Sequence, residues 1–160
     1  MNAAPALVAP SETEYVVRSA LLGTLQVPEA QIFGFDHGVL GFPKARRFAL
    51  VPVRTDGLFW LQSTDFEALT FLLADPFGLV EGYAVELGGH ELGDLAPNEP
   101  ADLLVLSILT LPPAPDEPAT ANLQGPLAFN LSERRGRQIV LQDSPWGVRW
   151  PVVLPGHSQG

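Results

Sequence analysis

The 160-residue sequence contains no cysteine. That excludes a disulfide scaffold, a thiolate zinc site and a cysteine nucleophile, and it fits a reducing compartment. Long apolar runs are also missing: nothing approaches the roughly 18 unbroken apolar residues of a spanning helix. Met1–Pro10 has no basic residue and no proper apolar centre, so it does not read as a secretory signal. A cytoplasmic protein without membrane contact is therefore expected. Asn130-Leu131-Ser132 matches a glycosylation sequon, which in such a context is read as coincidence.

Positive charge is scarce and unevenly placed. Nine Lys and Arg stand against 18 Asp and Glu, for a net charge of −9. Every Lys and Arg lies at or before Arg54, or at or after Arg134. Between Asp56 and Glu117 there are 12 carboxylates and no Lys or Arg. Such a field repels a nucleic-acid backbone and attracts a basic protein surface. It also serves as a solubilising face.

What is present suits a small β-rich domain. The chain is 46% hydrophobic with a mean hydropathy of +0.17, enough for a core. Its length fits one domain. The 16 prolines and 15 glycines mostly separate short apolar runs, the punctuation of strands and tight turns.

Along the chain, 1–13 reads as a tail, 14–153 as a single domain and 154–160 as a second tail. Tyr15–Gln26 reads as one or two strands and Gln31–Phe35 as another, leading into a glycine-punctuated turn. Phe48–Val53 and Leu58–Gln62 pair around a hairpin-like Arg54-Thr55-Asp56-Gly57. Thr64 with Glu67 offers a capping box, so Ser63–Ala74 reads as a turn or single helical turn followed by a strand ending at Asp75-Pro76. Gly82–Leu87 reads as a strand and Glu91–Leu95 as one helical turn. Leu103–Leu111 is a strand buried on both faces. Pro112–Pro118 is a surface loop. Leu127, Phe129 and Leu131 alternate, then Ile139 and Leu141, which predicts a hairpin around a Ser132–Gly136 turn. Trp146, Val148, Trp150 and Val152 alternate again, with Phe129 and Trp150 expected in the core. The fold expected is all-β: a small antiparallel barrel with at most one or two short helical turns, closed because open edges invite aggregation.

Chemistry is hard to place on this chain. His37, His90 and His157 stand in no metal-ligand spacing, so no metal and no cofactor are expected. No phosphate loop, nucleophile elbow or zincin motif is present. A hydrolase would need a carboxylate pair such as Asp65 and Asp75, one raised in pKa and one left ionised. A generic barrel-type ligand binder is a further alternative. Phe59, Trp60, Phe66, Phe71, Phe77 and Tyr83 lie in the acidic stretch without the flanking cations of an RNA-binding surface, and most read as core.

Several phrases read together as a family. Gly38-x-x-Gly41-Phe42 is followed by Phe59-Trp60-Leu61-Gln62-Ser63, Leu72-x-x-Asp75-Pro76-Phe77 and Tyr83-x-x-x-Leu87. Then come Thr120-x-Asn122-Leu123-x-x-Pro126 and Gly136-x-Gln138-x-x-Leu141. In this order, over Tyr15–Pro151, they resemble the flagellar assembly factor FliW. The resemblance implies a barrel-like regulator with no enzymatic activity. Such a protein binds the RNA-binding repressor CsrA, blocks its action on flagellin messenger RNA, and also binds newly made flagellin. With the acidic field repelling nucleic acid, no direct contact with it is expected, and a monomer when free is expected. Trp146 stands where the family usually carries Tyr, and the Pro112–Pro118 loop and Ala/Pro-rich N-terminus set this chain apart.

Within the acidic stretch, Asp65, Glu67, Asp75 and Glu81 sit beside these phrases and are candidates for partner binding. Phe66 and Phe77 are candidate apolar anchors, with Tyr83 and Asn122 completing the set. Each has a structural reading beside it. Gly38 and Gly41 allow tight turns, Asp75-Pro76 ends a strand, and Asn122 caps a loop.

Overall fold

The alternation in the sequence becomes short strands in the computed structural model, which describes residues 13–53, 57–142 and 144–154. β1 (Glu14–Ser19) and β2 (Gly23–Pro28) form an antiparallel hairpin. The remaining strands belong to one sheet: β3 (Ile32–Gly34), β4 (Arg47–Pro52), β5 (Leu58–Ser63), β6 (Thr70–Ala74), β7 (Leu103–Thr110), β8 (Ala119–Ala121), β9 (Leu127–Asn130), β10 (Arg135–Gln138) and β11 (Trp150–Val152). Among the described residues helix is confined to α1 (Pro76–Leu79), α2 (Gly89–Leu92) and three short 3-10 turns. The small β-barrel expected from the sequence is the fold observed.

The sheet closes on itself. The ring runs β3, β4, β5, β6, β7, β9, β10 and back to β3. Seven strands cannot alternate direction all the way round, so one neighbouring pair must be parallel. That pair is β3 and β10, joined at Gly34 and Arg135. β7 has one edge on β6, and divides its other edge between β9 at Leu103–Leu106 and β8 at Leu109–Thr110. Residues 122–126 carry the chain from β8 to β9, and β11 flanks β8 outside the ring.

The barrel interior is aromatic. Phe33, Phe35, Phe48 and Phe129 are fully buried with Leu50, Leu61, Leu106 and Leu127. Phe129 meets Phe33 and Phe35 edge-on at centroid distances of 5.2 and 5.7 Å, the geometry that ring quadrupoles favour. Much of the outer surface is covered as well. The β1–β2 hairpin sets Val17 and Val27 on Ala49. The long β6–β7 connection sets Val80 and Tyr83 over Ala74 and Leu109, and Leu92 and Leu95 over Ala128 and Ile139. This two-sided cover explains why β7 reads as a continuous apolar run rather than an alternating one.

Four expectations need correction. No strand forms over Gly82–Leu87; this segment has no ladder partner, because both edges of β6 and of β7 are already paired. The Thr64/Glu67 capping box does not form, and Ser63 takes its place. In the C-terminal hairpin Gly136 lies inside β10, and Arg134 turns the corner at φ 56°. The pairing then continues past β10 through Ile139 N–H to Pro126 O and Leu141 N–H to Gln124 O, both 2.8 Å. Finally, Trp146–Arg149 is outside any strand, and Trp150 is only partly buried, whereas Phe129 is core as expected. The Arg54–Asp56 turn, the 1–13 tail except Thr13, and the 154–160 tail except Leu154 lie outside the described residues.

Candidate interaction surfaces

The candidates divide between the two ends of β6. At the first end, β5 finishes at Ser63, whose Oγ accepts from Asp65 N–H (3.0 Å) and Phe66 N–H (2.9 Å). Asp65 Oδ2 accepts from the backbone N–H groups of Arg46 (3.0 Å) and Arg47 (3.3 Å). Beneath the turn lies fully buried Gln62. Its amide Nε2 donates to the carbonyls of Ser63, Phe66 and Glu67, and its Oε1 accepts from Thr70 Oγ1. Three carbonyls of a tight turn are thus satisfied from below, while the Phe66 side chain is exposed.

Facing it is the turn of the first glycine phrase. Gly38 (φ +65°) passes so close to the chain that a Cβ there would lie 2.5 Å from Phe42 O. Only glycine fits. The turn carries Phe42, whose ring rests edge-on against Phe71 at 5.7 Å. Phe42 and Phe66 remain 44% and 46% exposed. Together with Pro43, Lys44, Ala68 and Leu69 they border a concavity of about 470 Å³.

At the other end of β6, Asp75 Oδ1 accepts from Phe77 N–H (3.0 Å) and caps α1. Phe77 packs against Tyr83 (5.4 Å), Tyr83 against Trp146 (5.0 Å) and Trp146 against Trp150 (5.0 Å). Tyr83 is buried and its hydroxyl donates to Leu123 O at 2.8 Å; desolvation pushes its pKa up to about 12. Asn122 Oδ1 accepts from Gly125 N–H (2.9 Å). Gln138 Nε2 donates to Gly125 O (3.0 Å), while its Oε1 accepts from Leu40 N–H (2.9 Å). Several phrases that carry the family resemblance are therefore internal joints that tie loops to the barrel.

Of the sequence candidates, Asp65, Asp75, Tyr83 and Asn122 hold structural bonds. Phe77 is partly buried, and Phe66, Glu67 and Glu81 are exposed. Asp65 and Asp75 are separated by the length of β6, on the order of 15 Å. A glycosidase pair stands about 5–10 Å apart, so these two do not make one. Among the described residues no group of three or more His, Asp or Glu could hold a metal ion. His37 and His90 are exposed, and His157 lies outside the described residues.

The β6–β7 connection is the most acidic surface element. Asp75, Glu81, Glu86, Glu91, Asp94, Glu99 and Asp102 lie along it with no Lys or Arg. Among the described residues only Asp94 of these is ion-paired, to Arg135 at 3.0 Å. Arg135 also reaches Asp36 and Glu133, both at 3.4 Å. The Arg135 hydrogen bond and charge hold the Asp94 carboxyl below the usual range, and the Asp94 hydrogen bond raises Arg135. Between this connection and residues 137–142 and 144–146 runs a groove of about 610 Å³ bordered by Glu86, His90, Glu91, Arg137 and Trp146.

The sequence reading missed the Phe42 side of the first concavity. A signal was available in Phe42-Pro43-Lys44-Ala45-Arg46-Arg47, which holds three of the nine cations beside an aromatic.

A family model described as FliW protein matches residues 16–152. The chain is 31% identical over 144 residues to the flagellar assembly factor FliW of Treponema denticola, covering 90% of this chain and 97% of that protein. It is 36% identical over 137 residues to that of Carboxydothermus hydrogenoformans, covering 85% and 88%. A crystal structure of the flagellar assembly factor FliW superimposes with a TM-score of 0.76 at 27% identity, covering 86% of this chain and 96% of that one. No helix among the described residues is long and apolar enough to cross a membrane.

Proposed function

The chain belongs to the FliW family of flagellar assembly factors, and from that premise we propose that it controls flagellin synthesis by binding proteins. It holds the RNA-binding repressor CsrA away from flagellin messenger RNA. Newly made flagellin occupies it in turn, CsrA is freed, and translation stops. It does this in the cytoplasm, as a monomer when free, and without an enzymatic step; the family is one of regulatory assembly factors, not of enzymes.

The observation that carries this reading is the acidic β6–β7 connection, with seven carboxylates and no Lys or Arg between Asp75 and Asp102. A repressor that grips RNA must present cations to phosphate. An acidic protein face is attracted to that surface and repels the RNA backbone from it. Glu81 and Glu86 are exposed and carry no ion pair among the described residues, which leaves their charge available to a partner.

The test is titration calorimetry of this chain against the CsrA and the flagellin of its host, with a gel-shift assay of CsrA on flagellin leader RNA. Expected are binding of both proteins, release of RNA on adding this chain, and recovery of the RNA complex on adding flagellin. RNA binding that persists at saturating amounts of this chain overturns the reading.

A further inference from the structure

We propose that the Phe42–Phe66 concavity is a second docking surface, built for an acidic segment that offers one or two large apolar side chains. It lies at the opposite end of β6 from the head of the acidic connection and takes a partner of the opposite charge.

Two observations meet there. The first is apolar shape. Phe42 and Phe66 are large aromatics left nearly half exposed in a chain that buries most of its other phenylalanines. Both are fixed in place, Phe42 by Phe71 and the Gly38 turn, Phe66 by the Ser63 and Gln62 hydrogen bonds. The concavity of about 470 Å³ between them is preformed and has room for large side chains. Rigid aromatic anchors carry interface energy because little entropy is lost on binding.

The second is charge. Lys44 is the one charged residue bordering the concavity, and Arg46 and Arg47 follow at the start of β4. All three are exposed, and among the described residues none is in a salt bridge. This happens in a chain with two carboxylates for every cation. Asp65 is turned to the Arg46 and Arg47 backbone N–H groups, which leaves Glu67 as the free carboxylate on this turn. The unpaired cations favour an acidic occupant. A second copy of this chain would meet its own charge of −9. A small ligand would find almost no polar side chain to orient it.

The test uses three short fluorescent peptides, each with one Phe and one Leu flanked by glutamates, serines or lysines, read by polarisation. The glutamate peptide should bind at least about tenfold more tightly than the lysine peptide. Phe66→Ser should abolish that binding while leaving the melting temperature unchanged, since the ring is exposed. Ala68→Glu, which leaves both aromatics in place, should weaken it. Lys44→Glu with Arg47→Glu should reverse the preference. Equal binding of the three peptides, preference for lysine, no saturable binding, or undiminished binding by Phe66→Ser each overturns the proposal. CsrA binding through the acidic connection is measured separately and stands or falls independently.

Discussion

Gly136 in β10 lies directly under the ring of Phe35. A Cβ at this position would sit 2.3 Å from Phe35 Cζ and 2.4 Å from Cε1. The ring cannot retreat, because Phe48 and Phe129 hold it edge-on from two sides. Gly136→Ala should therefore destabilise by about 1–3 kcal/mol through overpacking, measured as a lower urea midpoint with an unchanged slope. Wild-type stability in this variant would show that the β10 register is wrong.

Phe129 tests the core from the opposite direction. It is fully buried and touches two other rings. Phe129→Ala should cost about 3–5 kcal/mol. A loss below about 1 kcal/mol would contradict its place inside the barrel.

Tyr83 links stability to pH. Its pKa stands at about 12 in the folded chain, above the ordinary 10.0, because burial disfavours the phenolate. The folded state thus prefers the neutral phenol. Its contribution is full below about pH 10 and is lost as pH rises through about 12. Tyr83→Phe should lower stability at neutral pH by about 0.5–1.5 kcal/mol, since Leu123 O loses its donor. It should also flatten the alkaline decline relative to wild type. Identical alkaline profiles for the two chains would remove this linkage.

Charge reversal tests the proposed function. Glu81→Lys with Glu86→Lys should slow association with CsrA and flatten its dependence on ionic strength, because peripheral charges act mainly on encounter. Circular dichroism should be unchanged, as both side chains are exposed. Unaltered association across a salt titration would remove the electrostatic account.

The strands were legible where alternate side chains join the barrel interior, as Leu127 and Phe129 of β9 do. The misreading of Gly82–Leu87 shows where this signal fails. Tyr83, Val85 and Leu87 alternate because they pack onto the outer barrel surface, and alternation records burial, not a hydrogen-bonded neighbour. Trp146 misled in the same way: it lies outside any strand and belongs to an aromatic ladder with Tyr83 and Trp150. The acidic stretch was plain in the composition, but not that Asp65 and Asp75 serve backbone N–H groups while Glu81 and Glu86 carry no ion pair among the described residues. Those roles depend on contacts such as Arg46 to Asp65, which no local pattern encodes.

The parallel seam between Gly34 and Arg135 also sets a schedule for folding. Its two sides are about a hundred residues apart in the chain, so closing it carries the large entropic cost of a long loop. During synthesis the antiparallel run from β3 to β6 can zip up as it emerges, yet the free side of β3 has nothing to pair with until β10 leaves the ribosome. For that interval the nascent protein is an open sheet with an unprotected border, the form most prone to mispairing with other chains. Protection of the newborn chain against aggregation thus falls to β10, and truncation before it removes that protection.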